Sequence, residues 1–210
     1  MIKALLMSKH YTPEADEVLK GWLGKPVGEV RALFCTNASD TIKDWGENIP
    51  FVDLAKEEVR DSGFDFDDLD LREFIGKNEE FMKLLKSYDV IFITGGDSSV
   101  LLDYFEKTGL KDQYAALLKS GLIHVGFSAG AIIFSKEMKF YSLFRSDRGK
   151  YTEGMRGLGL FPYYLVPHYS DKPKYTKLFE DSVKKYPEAT YLPLVNKQGI
   201  VMEGKDWRII

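Results

Sequence analysis

The run Val90-Ile91-Phe92-Ile93 most limits what this chain can become. Four apolar residues in succession leave no polar side chain to face water. A strand made of them has to be covered on both faces, as in a parallel sheet held between helices. Thr94-Gly95-Gly96-Asp97 closes the run and turns the chain at a carboxyl end of that sheet. Strand-length apolar runs also occupy residues 2–7, 30–35 and 122–125. Between the first two, Ala15, Val18, Leu19, Trp22 and Leu23 recur at helical spacing over residues 13–23. A β-α-β unit follows, and its repetition predicts an α/β fold with a mostly parallel sheet and helices on both faces. Further helices are expected at residues 50–60, 79–86, 111–120 and 174–186, and strands at 163–166, 190–195 and 199–202. Residues 64–71 alternate apolar with acidic side chains, as a half-exposed strand does. Asp65, Asp67, Asp68 and Asp70 crowd together there, but the glycine and final glutamate of a calcium loop are missing. They read as a solvated strand face, and no metal is expected.

A length of 210 residues with 44% hydrophobic content suffices for one domain, residues 1–210. Lys and Arg total 29 against 32 Asp and Glu, a net charge of −3 with no basic stripe, which argues against a nucleic-acid partner. The longest apolar segments fall well short of the ~20 residues of a membrane span. Residues 1–8 lack a full apolar signal core and a small-residue cleavage site, so they read as a buried first strand and not as a leader. Cys35 is the single cysteine, which excludes internal disulfides and cysteine metal clusters and fits a cytoplasmic location. No cofactor is expected, and the chain is predicted to act as a monomer or homodimer.

Chemistry enters at Gly126-Phe127-Ser128-Ala129-Gly130, where a strand gives way to a helix-permissive stretch. This reads as a nucleophile elbow. A serine on a sharp strand-to-helix turn exposes its hydroxyl at the end of the sheet, and the glycines let the backbone turn where a side chain would clash. The unpaired N–H groups at the start of the following helix offer donors to an oxyanion. Serine at neutral pH needs a base, normally histidine. Among the three histidines, His124 lies inside the elbow strand and reads as a packing residue, and His10 sits on a rim after the first strand. His168 ends an apolar strand and is followed by Tyr169-Ser170-Asp171-Lys172-Pro173, the place where a base is expected. Residues 135–155 are polar and glycine-containing and read as a loop or hairpin over the site.

Three blocks, in order, resemble the peptidase E group of serine peptidases, family S51. The group includes aspartyl dipeptidase and cyanophycinase and shares a flavodoxin-like fold with class I glutamine amidotransferases. Residues 93–98 are similar to its glycine-rich turn, residues 126–131 to its nucleophile block, and residues 160–168 to its histidine block. The resemblance implies a dipeptidase-like serine peptidase acting on a small peptide, with Ser128 as nucleophile and His168 as base. It places the N–H groups of Gly96 and Ala129 in the oxyanion hole. Asp97, Tyr175 and Lys172 are implied to contact substrate. Two positions depart from the family. Asn196 stands where a glutamate commonly completes the triad, with Asp147 and Asp171 as substitutes, and Tyr175 stands where aspartyl dipeptidases carry an arginine. Asn196 also motivates an alternative, a weakly catalytic binder of small ligands, and an amidase or esterase on a non-peptide substrate is the other.

Overall fold

The apolar runs become the inner strands because only the middle of a sheet excludes water from both faces. The computed structural model describes residues 1–41, 50–138, 141, 155–171 and 173–210. Strands β1 (Lys3–Met7), β2 (Ala32–Cys35), β3 (Asp67–Leu69), β4 (Val90–Ile93) and β5 (Ile123–Phe127) run parallel in the order β3-β2-β4-β5-β1. Counted from β2, this is the 2-1-3-4-5 order of flavodoxin-like folds, with the N-terminal strand taking the fifth place. A two-stranded parallel sheet of β6 (Tyr164–Val166) and β7 (Tyr191–Pro193) stands apart. Strands β8 (Gly199–Glu203) and β9 (Asp206–Ile209) then extend the main sheet antiparallel beyond β1. The strand order turns back between β2 and β4, and loops at such a switch point form a crevice for ligands.

Helix α1 (Pro13–Leu23) begins where Thr12 accepts a hydrogen bond from the Ala15 N–H, with proline at its first position, and ends on Gly24 in the left-handed conformation. Alternate residues of the strands face opposite layers. Leu5, Met7, Phe34, Phe92 and Val125 pack beneath α1 and α2 (Pro50–Asp61). Ala4, Leu6, Leu33, Ile91 and Ile93 pack beneath α3 (Asn78–Leu85), α4 (Ser98–Lys107), α5 (Leu110–Lys119) and α6 (Ala129–Ile132). A last helix, α7 (Pro173–Lys185), joins β6 to β7.

Helix α6 lies on the sheet at backbone contact. A Cβ at Gly130 would fall 2.4 Å from the Ile93 carbonyl oxygen, and one at Gly126 would fall 2.4 Å from both the Gly130 carbonyl carbon and His124 Nε2. His124 finishes the contact. Its Nε2–H donates to the Gly130 carbonyl at 3.1 Å, and the Tyr114 hydroxyl donates to Nδ1 at 2.6 Å. Burial pushes the His124 pKa down to about 3, so the ring stays neutral and serves as a strut, as its place inside the strand predicts.

Several elements differ from expectation. The half-exposed strand at 64–71 shortens to β3, because Asp70 turns to cap a 3-10 turn by accepting the Arg72 N–H. The neighbouring carboxylates have their own partners, Asp68 with Lys56 at 2.5 Å and Asp67 with the Tyr88 hydroxyl at 2.6 Å. Helix α4 was not foreseen, nor was β9, whose residues are all exposed and carry no apolar run. Residues 139–140 and 142–154 of the expected loop or hairpin lie outside the described residues.

Two glycine substitutions measure the packing at α6. Gly126→Ala is expected to lower unfolding free energy by at least ~1–3 kcal/mol through overpacking. Gly21→Ala, in the interior of α1 with open space around the new methyl, is expected to add ~0.5–1 kcal/mol. Denaturant titration of both proteins checks this, and equal stability of Gly126→Ala and wild type would contradict the close approach.

Candidate active site

Ser128 follows β5 directly and is half-buried, with φ 48° and ψ −103°. Few non-glycine residues occupy this region, and holding one there costs ~1–3 kcal/mol. The surroundings enforce it. The Ser128 N–H donates to the Met7 carbonyl at 2.9 Å, while its own carbonyl accepts from Ala131 and Ile132 at 3.0 and 2.8 Å. Strand β1 and helix α6 therefore pull the residue from two sides and push its hydroxyl outward. Ala129 begins α6, so its N–H has no acceptor within the helix. Gly95 lies against Ser128, since a Cβ there would stand 3.2 Å from Ser128 Cβ.

His168 comes to this serine from the other sheet. It follows β6 in the left-handed conformation, φ 61°, and its Nε2 stands 2.9 Å from Ser128 Oγ. Its Nδ1 lies 3.0 Å from Asn196 Oδ1, and Asn196 Nδ2 donates to Asp171 Oδ1 at 2.8 Å. This order of contacts settles where the protons are. An ionised carboxylate only accepts, so Asp171 draws the amide nitrogen and leaves the amide oxygen for the ring. The ring proton then sits on Nδ1, and the lone pair of Nε2 faces the Ser128 hydroxyl, as a base requires.

Backbone contacts hold His168 as well. The His168 N–H donates to Ser8 Oγ at 2.9 Å, and that hydroxyl donates to the Leu194 carbonyl at 3.2 Å. The His10 N–H reaches the Asn196 carbonyl at 3.2 Å. Ser8 is fully buried beyond β1 and was not foreseen, because nothing in its local sequence separates it from any other serine. His10 pairs through Nδ1 with Glu58 Oε1 at 2.6 Å, not with Ser128.

Burial lowers the His168 pKa from its ordinary value, and the electrostatic influence of Lys9 and His10 acts in the same direction. The hydrogen bond that His168 donates to Asn196 and the charge of Asp171 oppose this. The net direction is downward, so the imidazole is neutral and basic at pH 7.

The other sequence candidates fall in different places. The Tyr175 ring lies 5.7 Å from the His168 ring, and Lys174 Nζ sits 5.0 Å above the tyrosine. Asp97 is buried and caps α4, accepting from the Ser99 N–H at 2.9 Å and the Ser99 hydroxyl at 2.6 Å, so its carboxylate is committed to the helix start. Asp147 and Lys172 lie outside the described residues. Among the described residues, no group of three or more His, Cys, Asp and Glu side chains is placed to hold a metal ion.

Known proteins share both sequence and shape with this chain. The model of the family described as Peptidase family S51 matches residues 4–210. An uncharacterized peptidase of Listeria monocytogenes is 25% identical over 159 residues, covering 74% of this chain and 76% of its own length. Peptidase E of a Nostoc species is 24% identical over 180 residues, covering 81% and 67%. Among solved structures, a Listeria monocytogenes EGD-e protein named as a candidate peptidase E superposes with a TM-score of 0.79 at 22% identity, covering 100% of this chain and 98% of that one. That likeness shows the mostly parallel sheet flanked by helices.

The arrangement around His168 predicts a pH profile. The acid limb of kcat/KM is expected to have its midpoint below the ~6.5 of a free histidine, because burial favours the neutral ring. Asp171→Asn removes a charge that holds the pKa up, so the limb should move to still lower pH. The neutral-pH rate should fall about 1.4- to fivefold, the scale of an exposed charge contact of ~0.2–1 kcal/mol. Asn196→Leu, which frees the ring to change tautomer, should cost on the order of 10²-fold or more. Rates of both variants between pH 4 and 9 check this, and a limb moving upward in Asp171→Asn would refute the linkage.

Proposed function

Because this chain belongs to peptidase family S51, we propose that it hydrolyses short peptides by acyl transfer, with Ser128 as nucleophile and His168 as general base. The observation that carries this reading is the 2.9 Å approach of His168 Nε2 to Ser128 Oγ in the tautomer fixed by Asn196 and Asp171. As Ser128 Oγ attacks the substrate carbonyl, its proton passes to Nε2. The new oxyanion rests against the N–H groups of Gly96 and Ala129. His168 returns the proton to the departing amine as the C–N bond breaks, leaving an ester on Ser128. Water then attacks that ester by the same route and releases the acid and the free hydroxyl.

Asn196 takes the place of a charged third member, and by itself an amide orients the ring without stabilising its cation. Asp171 supplies the negative charge one hydrogen bond further out. That contact favours an active hydrolase over a binding protein. Tyr175 beside the base and Lys172 are the candidate substrate contacts, whereas the carboxylate of Asp97, the third residue suggested by the resemblance, is taken up by the start of α4, and no cofactor takes part. The cytoplasm is the proposed location; among the described residues no helix is long and apolar enough to cross a membrane.

A fluorophosphonate probe followed by peptide mapping tests the nucleophile. Wild type is expected to carry the label on Ser128, and Ser128→Ala to stay unlabelled, folded, and slower on dipeptides by orders of magnitude, roughly 10³-fold or more. A folded Ser128→Ala protein with wild-type turnover would overturn the proposal. Turnover of simple esters with none of dipeptides would instead assign the machinery to a non-peptide substrate.

A further inference from the structure

The turn that carries Gly96 is built from two adjacent glycines, and this creates a problem that the protein has to solve. A Gly-Gly peptide can rotate about its flanking dihedrals with little steric penalty, since neither residue has a Cβ to bar positive φ. Gly96 sits at φ 140°, where side-chain-bearing residues are rarely found. In one orientation of the Gly95-Gly96 peptide an N–H faces the nucleophile. In the flipped orientation the Gly95 carbonyl does, and an acceptor there would repel the negative oxygen that the reaction forms.

The 3-10 turn Asn37–Ser39, which follows β2, lies against the far side of these glycines. Ser39 is completely buried and donates its hydroxyl to the Gly95 carbonyl at 2.9 Å. Ala38 accepts the Asp97 N–H at 2.6 Å, and a Cβ on Gly96 would lie 2.2 Å from the Ala38 oxygen. Gly95 meets Ser128 on its other side. The glycine turn is thus held between the Asn37–Ser39 turn and the nucleophile. In a trans peptide the C=O and N–H point in opposite directions. A hydroxyl that pins the Gly95 carbonyl toward Ser39 consequently aims the Gly96 N–H away from Ser39, and the other neighbour of this turn is Ser128.

We infer that Ser39 is a positioning residue, whose hydroxyl holds the Gly95-Gly96 peptide in the orientation that presents an N–H donor to the oxyanion. The inference rests on the proposed acyl-transfer reaction and adds a residue to it that touches neither substrate nor the reacting atoms. It also explains the complete burial of this hydroxyl, since its acceptor is a carbonyl of the site turn rather than solvent.

The experiment compares Ser39→Ala and the shape-preserving Ser39→Cys, whose thiol is a weak donor, with wild type and Ser128→Ala. A dipeptide serves as substrate, and a dipeptide boronic acid, which forms a tetrahedral adduct on serine, as transition-state mimic. Both Ser39 variants should lose kcat, Ser39→Ala by at least about tenfold and at most by the ~10²–10³-fold that loss of one oxyanion donor costs. KM and the pH midpoint should stay unchanged, and boronate affinity should fall in proportion to kcat/KM. Wild-type kcat and boronate affinity in Ser39→Cys would overturn the inference. So would a fall in kcat with boronate affinity intact, because a general weakening of the fold does not discriminate against the tetrahedral state. Full activity of Ser128→Ala would instead defeat the reaction on which the inference rests, a result visible without any Ser39 variant.

Discussion

Backbone touching backbone is the constraint on which the site depends. Helix α6 can begin immediately after Ser128 only because Gly126 and Gly130 present no side chains to each other or to Ile93. A helix resting on a layer of ordinary side chains would stand several ångströms higher, and the chain would need a loop to climb to it. Here the climb is absorbed by one residue, Ser128, and the strained dihedrals of that residue follow. His124 and Tyr114 then spend two buried polar groups on holding the Gly130 carbonyl, which shows how closely this junction is fixed.

Charge at the site is arranged with similar economy. Burial lowers the pKa of His168, and the negative charge that opposes this lies at Asp171, at the protein surface, with an uncharged amide between. A carboxylate in direct contact with the ring would stabilise the cation more strongly and would also raise the pKa of the ring. The indirect arrangement exchanges some of that stabilisation for a ring whose pKa stays below its ordinary value. Orientation is retained in full, because it depends on which group accepts and which donates, not on the size of the charge.

The sequence was most informative where apolar residues run without interruption. Residues 90–93 and the elbow strand could only be inner strands, and inner strands they are. It was least informative at β9, where Asp206, Trp207 and Arg208 present the composition of a loop, and at α4, whose start was hidden because Asp97 looked like part of a turn. At the site, Ser128, His168 and Asn196 were legible because their positions in motifs restrict what they can be, and the structure brings the three together. Ser8 and Ser39 were not legible. Each acts by bonding a distant main-chain group, 186 and 56 residues away along the chain, and local sequence does not encode such a partner.

Ser8 joins two bodies of secondary structure. Ser128 rides on the seven-stranded sheet, while His168 follows β6 of the two-stranded sheet and Asn196 lies just beyond β7. The proposed reacting pair therefore straddles a seam, tied by the Ser8 hydroxyl and the His10 N–H. Partial opening along that seam would separate hydroxyl from imidazole while the large sheet stayed whole, and such sub-global openings cost less than complete unfolding. An opening of that kind would remove turnover before the seven-stranded sheet is lost, so activity and the bulk of the secondary structure would report on different parts of the molecule.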